Sequence, residues 1–311
     1  MSRSPVSKPP APRERRTAES RAARIEGALD RLYREFNGQD SVADPVWRVR
    51  RFQRGEDREI VGFIAAALAF GRVQSILNSI DGMLAVMGES PSKFVRGFEP
   101  ARDRDAFKHL VHRWTNGADF AALVWILKQM IDRSGSIENF FAEGLAPDAI
   151  DIGDALQSFS TRALALDVSA VYGRKRPKPG VAYFFSRPSS GGACKRLNLF
   201  LRWMVRQDQV DLGAWTKVRP AQLIIPLDTH VIRVGRCLQL TQKKSPGWRM
   251  AADITASLRA LDPDDPIKFD FSICHIGMMN ACGFGKREGD ANCPLKGCCV
   301  PGKATRPAPA L

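Results

Sequence analysis

Apolar residues recur along most of this chain at helical spacing and almost nowhere with the alternation of a strand. Ile25, Leu29, Leu32 and Phe36 fall three to four residues apart, the spacing that keeps side chains on one helix face. "DREIVGFIAAALAF" reads as a nearly all-apolar core helix opened by acids and interrupted at Gly71. "VQSILNSIDGMLAVMG" follows as a second helix ending at Gly88, and "DFAALVWILKQMIDRSG" is a third with its own glycine stop. No stretch alternates apolar and polar residues between turn signals, so the expected fold class is all-α with little or no sheet. No internal repeat is visible. Residues 1–20, rich in Pro, Ser and Arg and without periodicity, read as a disordered basic arm. Residues 21–311 read as a single helical domain ending in a cysteine loop, 282–299.

Composition changes this picture mainly through charge. The 311 residues, 44% of them hydrophobic, can bury a substantial core, but 47 Lys and Arg against 33 Asp and Glu leave a net charge of +14. Such a balance favours an anionic partner, nucleic acid or an acidic membrane. No run approaches the roughly 18 apolar residues of a membrane span, and the basic N-terminus lacks the apolar segment of a secretory signal. The expected location is therefore cytoplasmic and nucleoid-associated. The charge is also concentrated. From Val168 to Gln207 there are nine basic residues (Arg174, Lys175, Arg176, Lys178, Arg187, Lys195, Arg196, Arg202 and Arg206) and no acid. Tyr172, Tyr183, Phe184, Phe185, Gly180, Gly191 and Gly192 are interleaved with them. A charge run is usually a solvated face; one without counter-charge, carrying aromatics and glycines, fits a surface that tracks phosphates.

Two short stretches carry candidate chemistry. In "SSGGACKRLNLFLRWMVR" the stripe Leu197, Phe200, Leu201, Met204, Val205 marks a helix beginning near Ala193, with Lys195 in its first turn. The helix dipole there favours anions, so a lysine is out of place as a structural residue. It is either a phosphate contact on a glycine-rich turn or an amine nucleophile. In "LIIPLDTHVIRVGRCLQL" Asp228 follows a proline turn, and Val231, Val234 and Leu238 recur behind it at helical spacing. That is a helix cap by position; a catalytic carboxylate is compatible with it.

Together these stretches resemble the helix-hairpin-helix DNA glycosylase superfamily that includes endonuclease III. In that family a glycine-rich hairpin leads into a helix with an early catalytic lysine, which corresponds here to Lys195, with an asparagine three residues on at Asn198. A catalytic Asp in an Asp-Thr-His-Val pattern corresponds to Asp228-Thr229-His230-Val231, with Arg233 following. The junction between the opening helices, here Phe70, Gly71, Arg72 and Gln74, is similar to the family's duplex-entering turn. The hairpin departs from the family's Leu-Pro-Gly-x-Gly, reading Ser190-Gly191-Gly192-Ala193, and Lys195 precedes Asp228 by 33 residues. The latter spacing is closer to the archaeal 8-oxoguanine glycosylase branch, and the chain also resembles a bacterial family distantly related to these enzymes. The resemblance implies two helical subdomains, double-stranded DNA as partner, and base excision with lyase activity. Lys195 would attack C1′ of the sugar, and Asp228 would take a proton or stabilise positive charge. Gly191, Gly192, Arg187, Arg196, Arg202, Arg206, Arg72 and Gln74 are the expected nucleic-acid contacts. A non-catalytic nucleic-acid-binding protein of the same fold, or a metal-binding scaffold, are the rival readings.

Of seven cysteines, Cys282, Cys293, Cys298 and Cys299 crowd near the C-terminus, which in a cytosolic chain points to metal ligation more than disulfides. Endonuclease III-like enzymes hold a [4Fe–4S] cluster in Cys-x6-Cys-x2-Cys-x5-Cys. Here Cys293 and Cys299 match the last pair, Cys282 lies near the first position, and Asp290 occupies the second. The motif is thus incomplete unless Cys298 or Asp290 supplies a ligand. Zinc, with His275 as a further donor, is the alternative, and a loop of free thiols is the bland one. His230 and Cys274 read as helix-packing residues.

Overall fold

Each apolar stripe becomes a helix. The computed structural model describes residues 12–38, 44–278 and 293–299, the side chains of 12–20 and 277–278 excepted. The opening helices are α1 (Pro12–Phe36), α2 (Val46–Arg50), α3 (Gly55–Ala67), α4 (Val73–Met87), α5 (Pro91–Gly97) and α6 (Pro100–Asp103). A hairpin of two-residue strands, β1 (Val111–His112) and β2 (Thr115–Asn116), leads directly into α7 (Gly117–Ser134). Then come α8 (Ile137–Ala142), α9 (Gly153–Ala165), α10 (Ser169–Tyr172), α11 (Pro179–Ala182) and α12 (Lys195–Val205). The chain closes with α13 (Thr229–Cys237), α14 (Trp248–Arg259) and α15 (Asp270–Met278). Among the described residues the protein is all-α apart from that hairpin and an isolated bridge between Gln207 and Leu212, as the missing strand periodicity requires.

The starts and stops have local causes. Gly71, at φ 111, breaks the chain between α3 and α4, and Gly88 (φ 69) and Gly135 (φ 85) end α4 and α7 in conformations that glycine adopts without cost. Asn116 caps α7, accepting from the Ala118 and Asp119 amides while Asp119 accepts from the Asn116 amide. The first helix differs from expectation. It begins at Pro12, so residues 12–20 of the expected disordered arm are helical; residues 1–11 lie outside the described residues. Proline is tolerated in the first turn of a helix, and the Arg, Glu and Ala that follow propagate a helix already nucleated by its buried half.

One continuous core runs from Ile25 to Cys298. Its centre is α3, whose residues Ile60 to Ala67 are buried on every side against α2, α5 and α12. Gly62 brings α12 in close: a Cβ there would stand 2.7 Å from Met204 Cε. Buried Glu59 accepts from the Ile137 and Glu138 amides and from Trp215 Nε1, tying α3 to the start of α8. At the other end α1 packs on α15, and α15 packs on α13. The first and last helices therefore meet, with α12 lying between that group and α3.

Candidate functional site

Packing α12 beside α13 and α15 sets Lys195 against Asp228. The turn before α12 runs through Pro188–Ser190 to Gly191, which is left-handed at φ 81. Gly191 O accepts from the Trp248 amide at 3.2 Å, and a Cβ on Gly247 would stand 2.4 Å from that oxygen, so α14 buttresses the turn. Cys194 is itself left-handed (φ 50), and Lys195 is the first residue of α12. Asn198, fully buried, donates from Nδ2 to Ala193 O at 3.1 Å and ties the helix back to its turn. The helix thus starts two residues later than the apolar stripe implied.

Asp228 divides its two oxygens. Oδ1 accepts from the His230 and Val231 amides, both at 2.9 Å, which makes it the cap of α13. Oδ2 lies 3.6 Å from Lys195 Nζ. The lysine side chain is 40% exposed and the aspartate 18%, so the pair sits at a surface with its carboxylate recessed. Behind it, Cys274 Sγ donates to Asp228 Oδ2 at 3.6 Å and approaches Asp270 Oδ1 at 3.9 Å. Burial, together with the Asp270 and Asp228 charges, pushes the Cys274 thiol well above its ordinary range, so it remains S–H. Burial also raises Asp270, to about 6; Asp228 and Asp211 add to this against the pull of Arg202.

The network extends inward. Arg202 Nε lies 3.1 Å from Asp211 Oδ1, and Nη1 bonds Asp270 Oδ2. Arg206 pairs with Asp265 at 2.8 Å, with Asp208 at 3.0 Å, and with Asp211. Burial opposes both guanidinium charges, but these carboxylates more than offset it and raise both arginines. Arg202 and Arg206 are therefore interior residues, not the nucleic-acid contacts their sequence suggests. Arg196 needs the same correction. Buried, it donates to Ala67 O at 3.1 Å and to Tyr183 O, which joins the start of α12 to the end of α3. Burial lowers Arg196 to about 10.

The remaining expected contacts lie on the surface. Arg187, Gly191 and Gly192 are exposed beside the turn, as are Arg72 and Gln74 at the α3–α4 junction, where Gln74 Nε2 bonds Asn78 Oδ1 at 2.8 Å. Arg174, Lys175, Arg176 and Lys178 are exposed too. His230 is half-buried, and its Nδ1 is buried without a hydrogen-bond partner. Sequence reasoning missed Cys274 and Asp270 as neighbours of Asp228. Their i, i+4 spacing on α15 shows that they share a face, but not which helix that face meets. A cleft of about 370 Å³ lies between the segment Ala142–Pro147 and the segment Thr216–Gln222; Lys195 and Asp228 are not among its lining residues.

Of the candidate metal ligands, Cys282 and Asp290 lie outside the described residues. Cys293 and Cys298 are buried, Cys298 Sγ faces Arg24 O at 3.5 Å, and Cys299 Sγ faces Leu295 O at 3.3 Å. Among the described residues no three His, Cys, Asp or Glu side chains gather closely enough to hold a metal ion. No helix among them is long and apolar enough to cross a membrane.

Residues 44–279 match the model of a family described as "Protein of unknown function (DUF2400)", and the chain belongs to that family. No curated protein and no solved structure matches it.

Proposed function

We propose that this member of the family is a DNA base-excision glycosylase with lyase activity, with Lys195 as nucleophile and Asp228 as its acid–base partner. The observation that carries the reading is the 3.6 Å approach of Lys195 Nζ to an Asp228 oxygen that the helix cap leaves free. That separation is within reach of proton exchange through one water or a small movement, and unliganded catalytic contacts are often long. Lys195 then bonds C1′ of the sugar as the bond from C1′ to the base breaks and the base leaves with the electron pair. Asp228 takes the ammonium proton before attack and can then give it to the base, which departs with the electron pair. Ring opening leaves a Schiff base, from which strand cleavage by elimination follows. The exposed cations Arg174, Lys175, Arg176, Lys178 and Arg187 supply the phosphate contacts. Cys282, Cys293, Cys298 and Cys299 are the donors that an iron–sulfur cluster or zinc would use.

The test is reductive trapping on a panel of duplexes, each with one damaged base. Borohydride should freeze a covalent protein–DNA adduct on at least one of them, and Lys195→Gln should abolish it. Binding without an adduct on any duplex would leave a non-catalytic DNA-binding protein. An adduct formed by Lys195→Gln would place the nucleophile elsewhere.

A further inference from the structure

Five large apolar side chains stand exposed among the described residues, and four of them share three segments: Val73 after the α3–α4 junction, Val111 and Trp114 on the β-hairpin, and Tyr183 after α11. These segments meet in an aromatic cluster. The Trp114 ring centroid lies 4.7 Å from that of Tyr183 and 5.2 Å from that of Phe70, and Phe70 and Tyr183 are 5.2 Å apart. Trp114 is nonetheless 55% exposed and Tyr183 36%. A cluster that served only as core would turn these faces inward.

The cluster is braced from beneath. Arg196 stacks on Tyr183, its guanidinium carbon 3.6 Å from the ring centroid, and lies 5.1 Å from that of Phe70. His112 sets its edge against Phe70 at 4.6 Å, with one ring nitrogen 3.1 Å from Phe70 O and the other 2.8 Å from Ser79 Oγ. The hairpin turns through Arg113 at φ 58, a left-handed conformation uncommon for a side-chain-bearing residue. The turn thus holds Trp114 outward at a conformational cost.

Charge chooses the occupant. Segments 70–75, 110–116 and 178–187 contain no acidic residue and carry Arg72, Arg113, Lys178 and Arg187, all exposed. An exposed indole rimmed by cations matches a planar base with a phosphate on either side. A second protein surface would be met by apolar area without that one-sided charge.

We propose that Trp114 is the stacking platform for one unpaired nucleobase of DNA, held by Tyr183, whose ring stands at 79° to it, with Arg72 and Arg113 on the flanking phosphates. The proposal takes from the preceding section only that the ligand is nucleic acid; it needs no glycosylase chemistry.

The experiment uses the full chain and a duplex with one unpaired 2-aminopurine, beside the same duplex fully paired. Binding of the wild-type protein should quench the unpaired 2-aminopurine. Trp114→Ala should remove the quenching and weaken binding of the bulged duplex by roughly 5- to 150-fold, the span of one base–aromatic stack. Affinity for the paired duplex should stay within about twofold, and Trp114→Phe should retain most of the quenching. Unchanged quenching in Trp114→Ala would overturn the platform. So would equal weakening on both duplexes, which would mean structural damage, or a shift from dimer to monomer in sedimentation with DNA binding intact, which would assign the face to a second copy. Borohydride trapping by Lys195 is scored separately, so loss of either reading leaves the other standing.

Discussion

Lys195 Nζ lies 3.6 Å from Asp228 Oδ2, while the other oxygen of the same carboxylate caps α13. The two roles sit on different atoms and can be separated by mutation. Asn caps a helix as well as Asp does, so Asp228→Asn should fold with stability within a few tenths of a kcal/mol of wild type, whereas Asp228→Ala should lose about 1 kcal/mol. Both should lower the rate of adduct formation by about 10²- to 10⁴-fold, the range of a general acid–base group. Urea unfolding and single-turnover trapping measure the two effects. An Asn variant that traps at the wild-type rate would leave Asp228 a cap only.

Cys274 should be chemically silent. Its thiol is held protonated by burial and by the Asp270 and Asp228 charges, and the thiolate is the reactive form. Alkylation of native protein at pH 7.5, read by peptide mapping, should label Cys274 at least about 100-fold more slowly than the unfolded chain. Labelling at the unfolded rate would mean that Asp228 lacks this donor. Cys274→Ser keeps a donor and should preserve the trapping rate, whereas Cys274→Ala should lower it by a few fold, as befits a weak hydrogen bond.

Buried and exposed arginines should part company. Arg202→Met leaves Asp270 buried without its arginine and Asp211 with Arg206 alone, and should cost about 3–5 kcal/mol. Arg187→Ala, at the surface, should stay within about 0.5 kcal/mol. Replacing Arg174, Lys175 and Arg176 together by Ala should reduce the slope of log K against log salt by about 3 for duplex DNA. A slope unchanged by that triple substitution would remove these residues from the DNA interface.

His112 gives the hairpin a pH dependence. Burial lowers its pKa below the ordinary 6.5, with the Phe70 carbonyl pulling the other way and Arg113 adding to the depression. Above about pH 6.5 both native and unfolded chains hold the ring neutral and its contribution is complete. As pH falls below that value the unfolded chain takes the proton first, so the contribution shrinks. The gap in urea midpoint between wild type and His112→Gln should therefore be largest near pH 8 and narrow by pH 5. Asp270, raised to about 6, acts in the opposite sense, because the native state binds its proton more tightly and stability is lost as pH rises through 6. It is present in both proteins and cancels in the comparison. A gap that widens towards pH 5 would reverse the sign assigned to His112.

The sequence by itself determined the helices, because helical periodicity and stop residues are local. The α3–α4 break at Gly71, the stop at Gly135 and the cap at Asp228 all depend on neighbours within a few residues. Only the tertiary structure decided which charges are inside. The run from Val168 to Gln207 contains no acid, yet the partners of Arg202 and Arg206 begin at Asp208, one residue beyond it, and continue through Asp211, Asp265 and Asp270. Arg196 likewise finds its acceptors at Ala67 and Tyr183 rather than at an acid. Cys274 stands 46 residues from the carboxylate it touches. A charge is paid for its burial by the distance and desolvation of its partner, and neither quantity exists until α12 has been packed between α3 and the α13–α15 pair.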